Sequence, residues 1–592
     1  MPFDPVRLEL IKNAIGSVVD EMLLTVVRIA YSSIMKDTMD LSSAFCDRGG
    51  RMIAQGLSLP LHLGSIPDAM GAVQAEYGDA IAEGDVVILN DPYHGGMHLP
   101  DIFMFKPVFV DGNLLGYAIL VAHHNDMGGR VPGSSAADST EIFQEGLRIP
   151  VVKLYDRGAA NDTLYKLLSL NVRQPEVVLG DVRAQLAACD IGERGMQDLA
   201  ARYGVAELER SFDALLDYSE RGARATLRAI PDGVYRFTDY LDDDGVNFNR
   251  PVRVQVALHV DGDALTVDFA GTSPQVEGAI NSTLSFAKSA IYFAIRSIMV
   301  EDVPNNAGFF RPIEAVAEPG SLVNPLPPGA CAARGVTGFR VIDAIVGALA
   351  QAVPERIRAP GEGGTTSYSI AGYDRNGTYS QFREAVMGCW GAGANREGID
   401  GVANPAANIS NAPIEVVENT APIRVERYEL VTDSGGPGQW RGGMAVLREM
   451  RYLGDNARLQ LRSDRRDHPP FGVNGGQAGA PSRNLFDNGA GGGASGGADW
   501  EDLPTKFVRP IRTGQAIRHI TAGGGGYGDP FQRLPERVLD DVYNGKVSPE
   551  AAARDYGVAV SGPPWRVDAE KTEALRHARL AAAGREAEAA GE

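Results

Sequence analysis

The feature that most constrains this chain is a turn. Asp111-Gly112-Asn113 stands between two apolar arms that together run from Phe103 to His123. A turn signal of this kind between apolar runs predicts a β-hairpin, and a hairpin dictates which distant residues meet. With a three-residue loop, Asp101 lies opposite His123; with a two-residue loop, His123 is one step away. Either register brings the His98/Asp101 segment beside His123, because cross-strand neighbours sit only about 5 Å apart.

The residues so gathered suit a metal. Five of the nine histidines (His62, His94, His98, His123, His124) fall between positions 62 and 124, where even scattering would put about one. Asp91-Pro92-Tyr93-His94-Gly95-Gly96-Met97-His98-Leu99-Pro100-Asp101 is a loop, since two glycines and two prolines forbid a regular helix. Two imidazoles and a carboxylate on strand ends form a facial set with open positions, as used for Zn²⁺, Mn²⁺ or Fe²⁺. The competing reading is a polar loop in which these histidines only hydrogen-bond. His62 and His124 read as supporting residues, and His94 stays open.

Composition limits the partners. A net charge of −20 argues against nucleic acid and anionic lipid, since both need a basic face. The opening MPFDPVRLEL lacks the basic region and apolar core of a secretory signal, and no apolar run approaches the roughly 20 residues that span a bilayer. Cys46, Cys189, Cys331 and Cys389 are isolated, which fits small buried residues in a reducing cytosol. A cytoplasmic location is expected.

The length predicts several domains, and we expect an α+β fold. Residues 1–230 form a metal-binding domain with an N-terminal helix (5–33) and antiparallel hairpins; 231–430 a mixed central part; 431–535 a Gly-rich β part; 536–592 a helical tail. Short strands are expected around Asp47-Arg48-Gly49-Gly50 and at Val86–Leu89, a hairpin over 252–270, and helices over 160–228, over 285–299 and near 341–352. Gly491-Gly492-Gly493 and Gly496-Gly497 read as a flexible surface loop. No G-x-x-x-x-G-K-[ST] exists: Gly523-Gly524-Gly525-Gly526-Tyr527-Gly528-Asp529 lacks the lysine and hydroxyl that meet phosphates, and reads as close backbone packing. No Gly-x-Ser-x-Gly elbow appears either.

Taken in order, Asp37 to Ser42, Asn90-Asp91-Pro92-Tyr93 through His98-Leu99-Pro100-Asp101, Ala122-His123-His124-Asn125-Asp126-Met127-Gly128-Gly129, Glu141 to Leu147, Asn411 to Glu415, Gly435 to Gly438 and Gly523 to Pro530 resemble the motifs of the hydantoinase B/oxoprolinase family. That family comprises large subunits of N-methylhydantoinases, the matching half of 5-oxoprolinases, and related caprolactamase and ketone carboxylase subunits. The resemblance implies a metal held by Asp40, His98, Asp101 and His123. Asp40 comes from the resemblance alone, since nothing local separates it from Asp37 or Asp47.

The resemblance also implies a division of labour. A hydantoinase A-type ATPase partner, in a hetero-oligomer of the α2β2 kind, uses ATP to phosphorylate the oxygen of a small cyclic amide. This chain then adds water, whose pKa a Zn²⁺ or Mn²⁺ ion lowers from 15.7 to about 7. Asp126 and Glu145 are candidate proton carriers. Two other readings stand beside this: an acetone- or acetophenone-type ketone carboxylase chain using bicarbonate, and a scaffold for the ATPase without chemistry of its own.

Overall fold

Asp4 caps the first helix, Pro5–Ile29, by accepting the Val6 N–H at 3.0 Å, and Pro5 occupies the first turn, where a missing N–H costs nothing. Ile11, Ile15, Val19, Met22 and Val26 form its buried stripe. The apolar periodicity predicts a helix on to residue 33, yet the helix stops at Ile29. Asp181, 150 positions from Tyr31, accepts the Tyr31 and Ser32 N–H groups at 2.7 and 3.2 Å, giving the backbone a partner outside the helical ladder. This computed structural model describes residues 4–57, 59–62, 64–363, 366–374, 376–489 and 500–590. The glycine run at 491–493 and 496–497, expected to form a surface loop, lies outside them.

A seven-stranded antiparallel sheet organises the first third of the chain. Its strands are β1 (Leu41–Asp47), β2 (Met52–Gln55), β3 (Val86–Leu89), β4 (Asp101–Val110), β5 (Asn113–His123), β6 (Val152–Asp156) and β7 (Ala159–Ala160), in the order β2-β1-β5-β4-β3-β6-β7. The hairpin turn holds only Asp111 and Gly112, with φ of 48° and 75°, the geometry that suits the twist of a two-residue connection. A bulge then inserts one extra residue, Leu115: Phe109 pairs with Leu114, but Val108 pairs with Gly116. The loop is therefore one residue shorter than the three-residue alternative. The bulge compensates, and Asp101 stands opposite His123. Gly116 is obligatory here, since a Cβ would lie 2.2 Å from the Cys46 carbonyl oxygen of β1.

Both faces of this sheet are covered, which is why β3, β4 and β5 read as nearly continuous apolar runs. Ile102, Met104, Leu120 and Ala122 pack toward the first helix and the long helix Pro175–Tyr203; Phe103, Phe105, Ile119 and Val121 pack toward the helices Leu284–Arg296 and Arg334–Leu349. By alternation, Asp101 and His123 share the second face.

A second sheet, β8 (Gly233–Leu241), β9 (Val252–Asp261), β10 (Ala264–Asp268) and β11 (Ile313–Val316), contains the expected 252–270 hairpin and adds a parallel β10–β11 pair. The helix expected near 341–352 spans Arg334–Leu349. Its first half hides its period because Arg334, Arg340 and Asp343 are buried as ion pairs. Farther on, β12 (Ser367–Tyr373) and β13 (Tyr379–Ala385) join the strands Asn456–Arg462 and Lys506–Arg512, while a five-stranded sheet carries Ile423–Leu430 and Val446–Tyr452. The glycine run at 523–526 packs backbone on backbone: a Cβ on Gly523 would lie 1.8 Å from the Ser434 carbonyl oxygen. The fold is α+β. Among the described residues no helix is long and apolar enough to cross a membrane, and Cys46, Cys189, Cys331 and Cys389 are buried and unpaired.

Candidate metal centre

Asp101 opens β4, His123 closes β5, and His98 precedes Asp101 by one tight turn in which the Asp101 N–H donates to the His98 carbonyl. Their donor atoms form a triangle. His98 Nε2 lies 3.0 Å from Asp101 Oδ1, His123 Nδ1 lies 2.8 Å from the same oxygen, and the two ring nitrogens are 3.1 Å apart. Donors set at right angles about 2.1 Å from one centre would be roughly 3.0 Å apart, so the triangle has the size of one octahedral face.

The protonation logic also favours a cation. His98 Nδ1 donates to the Ala332 carbonyl at 3.2 Å, which leaves Nε2 as a bare lone pair aimed at a carboxylate oxygen. Burial, with the nearby charges of Arg334 and Arg383, holds His98 and His123 down at about 3, so both rings are neutral, the state a metal requires. Although burial opposes it, the contacts with His98, Arg334 and His123 keep Asp101 well below the ordinary carboxylate range. His123 Nε2 is buried without a hydrogen-bond partner. The residues fit a divalent metal.

Asp40 reaches the same place by a different route. It immediately precedes β1, whose Leu41 pairs with Ala122, and its carbonyl accepts the His123 N–H at 3.0 Å. Asp40 Oδ2 stands 4.0 Å from His123 Nδ1. Met39 before it adopts φ 61°, a conformation non-glycine residues rarely enter. Burial pushes the Asp40 carboxyl upward. His98, His123 and Asp40 open onto a cleft that His62, Arg334, Arg383 and Arg462 also line.

Of the other candidate residues, Asp126, Glu145, His124 and His94 lie apart from this cleft. Asp126 is fully buried and committed: Oδ1 accepts from Gly133 N and Arg173 Nη1, Oδ2 from Gly128 N and Arg173 N. Glu145 Oε1 accepts the Cys331 and Ala332 N–H groups at 2.7 and 2.8 Å, and Oε2 has no partner. His124 faces the opposite side of the sheet and donates to Gln185 Oε1 at 2.8 Å; His94 is exposed and contacts Asp91. His62, expected to support the site, lines the cleft with Nδ1 2.9 Å from Ser42 Oγ. Sequence reasoning missed Arg334, Arg383 and Arg462. No local pattern marks them, because each reaches the cleft from more than 200 residues away in the chain.

Burial pushes Glu145 up to about 8, far above an unfolded glutamate. A folded carboxyl with a raised pKa binds more protons than the unfolded one between pH 4.5 and 8, so its contribution to stability is lost as pH rises through that window. Glu145→Gln is expected to unfold like wild type near pH 4 and to be more stable by a few kcal/mol near pH 9. Thermal unfolding across pH checks this; equal pH profiles refute it.

A family model for hydantoinase B/oxoprolinase matches residues 4–530. The chain belongs to that family. This hydantoinase B/oxoprolinase chain is 35% identical over 590 residues to the B component of a putative D-/L-hydantoinase of Pseudomonas sp. (strain NS671), covering 97% of this chain and 98% of that protein. It is 34% identical to the beta chain of the caprolactamase of Pseudomonas jessenii over 98% of this chain and 99% of that one. The crystal structure of the ATP-dependent caprolactamase from the same organism superposes with a TM-score of 0.90 over 98% of this chain and 100% of that chain, at 32% identity. A nucleotide-free acetone carboxylase structure superposes at 0.88 over 98% of this chain and 84% of that chain, with 20% identity, and so shares the fold.

Proposed function

We propose that this chain is the metal-binding subunit of an ATP-dependent amidohydrolase acting on a cyclic amide of the lactam, hydantoin or 5-oxoproline type. Its partner is a hydantoinase A-type ATPase in a hetero-oligomer. The observation that carries the reading is the His98–Asp101–His123 triangle at the wall of a cleft, in a chain about one-third identical to a hydantoinase subunit and a caprolactamase subunit.

Cyclic amides are poor electrophiles, and phosphorylation of the amide oxygen by the partner makes the carbonyl carbon reactive. Asp40, His98, Asp101 and His123 hold the cation, Zn²⁺ or Mn²⁺, which when bound makes water nucleophilic near neutral pH. Arg334 anchors Asp101 through Oδ2 at 2.6 Å and leaves Oδ1 for the cation. Asp126 and Glu145, the two candidate proton carriers, are better suited to positioning. Asp126 shapes the turn that follows His123, and Glu145 braces residues 331–332 behind His98. One water adds to the activated carbon, the ring C–N bond breaks with the nitrogen taking a proton, and the acyl phosphate so formed reacts with a second water to give the carboxylate and inorganic phosphate.

The test combines the chain with its partner, ATP and a panel of cyclic amides. Wild type is expected to contain stoichiometric divalent metal and to open one of the rings, and His123→Ala to lose both properties. Hydrolysis intact in metal-free His123→Ala would sink the assignment. ATP turnover that depends on bicarbonate would assign ketone carboxylation instead, and a chain free of stoichiometric metal would point to a scaffold.

A further inference from the structure

Two cations beside the cleft have no paired anion among the described residues. Arg383 spends Nη1 and Nη2 on the Gly133 carbonyl (2.9 Å) and Ser135 Oγ (2.7 Å), and Arg462 spends Nη1 on the Ala332 carbonyl (3.1 Å). By contrast, Arg334 and Arg448 nearby are paired with Asp101 and Glu384. Arg462 is 8% exposed and its Nε has no partner. A buried guanidinium without a paired carboxylate is costly, and a site that keeps Arg462 in that state beside the half-buried Arg383 is built for an anion.

Strand register shows where that anion sits. Arg383, Ser369 and Gln460 stand in one row across β13, β12 and Asn456–Arg462; Ala385, Ser367 and Arg462 stand in the next. Alternate residues share a face, so both arginines and both serines lie on one side, while Tyr368, Ile370, Leu459 and Leu461 fill the core on the other. Residues 132–137 roof the polar side and leave a second cavity. Ser367, Arg383 and Arg462 line both this cavity and the metal-side cleft, forming the partition between them. Inside it, Ser369 Oγ is buried with no partner.

We propose that Arg383, Arg462, Ser367 and Ser369 bind the phosphoryl group of the phosphorylated cyclic amide in this second cavity. The carbon to be attacked then projects through the partition toward His98, Asp101 and His123. The inference rests on the function proposed above and adds where the activated substrate is gripped. Charge supports it. Asp40 and Asp101 balance a divalent cation, which leaves the three positive charges of Arg334, Arg383 and Arg462, and a phosphoryl dianion cancels two of them. Guanidinium pairs and hydroxyls are the donors that phosphoryl oxygens prefer.

The experiment titrates inorganic phosphate into the isolated full chain by calorimetry, with metal bound and after chelation. Saturable one-site binding is expected in both states. Arg462→Gln is expected to weaken it by about tenfold or more, Arg462→Lys by less, and Ser369→Ala, which deletes a hydroxyl without a partner, by roughly two- to fivefold. Binding that vanishes on chelation and ignores these variants would put phosphate on the cation and overturn the proposal, as would preferential binding of bicarbonate. Turnover with partner and ATP keeps the two readings distinct. Phosphate binding without ring opening would remove the proposed function but not the anion site. Ring opening by wild type, with no phosphate binding and an unchanged rate in Ser369→Ala, would remove this inference alone.

Discussion

Replacing Asp101 by alanine is expected to empty the proposed metal centre, lower turnover on the order of a thousandfold or more, and cost about 3–5 kcal/mol of stability. Asp101 is a hub with no exposure. Oδ1 meets His98 and His123, and Oδ2 takes the Arg334 guanidinium at 2.6 Å. Its loss removes one proposed ligand and also strands Arg334, a buried cation packed on the Phe286 ring at 4.6 Å. Removing one partner of a buried pair costs far more than the pair's net worth, because the surviving charge stays desolvated. His98→Ala is the control. It deletes a ligand but leaves the Arg334 pair intact, so metal should go with a smaller fall in stability. Metal content and denaturant midpoints decide the matter. Asp101→Ala with wild-type metal, or with stability within about 0.5 kcal/mol of wild type, contradicts the description.

Arg465→Met is expected to cost a similar 3–5 kcal/mol, at a place outside the lining of the metal-side cleft. Arg465 is fully buried. It pairs with Asp343 on the helix Arg334–Leu349 and with Asp239 on β8 at 3.2 Å, and it donates to the His468 carbonyl at 3.1 Å. Arg340 links the same Asp239 to Asp464. This cluster ties the second sheet and its helix to the C-terminal strands, and it holds the segment that follows Arg462 in the anion cavity. Methionine fills the volume but leaves Asp343 and Asp239 to share the one guanidinium of Arg340, at 3.8 and 3.2 Å. Burial, joined by Asp239, Glu362 and Asp464, already pushes Asp343 far up. Arg465→Met with Asp343→Asn should therefore recover part of the loss, a coupling that a double-mutant cycle measures. Additive effects of the two changes would show that the pair carries no coupling.

The parts of the site legible in the sequence are the parts built by local rules. A turn signal between apolar arms specifies a hairpin, and alternation then sends Asp101 and His123 to one face. The two-residue turn on its own would leave them one step out of register; the Leu115 bulge, which no residue type announces, corrects it. Asp40 is reachable only through family resemblance, since its approach depends on β1 docking beside β5. The helix Arg334–Leu349 is only half legible, because buried arginines interrupt its apolar period and look like a solvent face until their partners are known.

What the sequence determined by itself is therefore the His98–Asp101–His123 triangle, which could hold a metal ion. Its three donors lie within 26 residues joined by a single hairpin, so short-range backbone geometry brings them together. What only the tertiary structure decided is the charge around that triangle. Arg334, Arg383 and Arg462 arrive from three separate elements hundreds of residues later, and whether a buried guanidinium is neutralised depends on what long-range packing sets beside it. Local sequence carries no record of that.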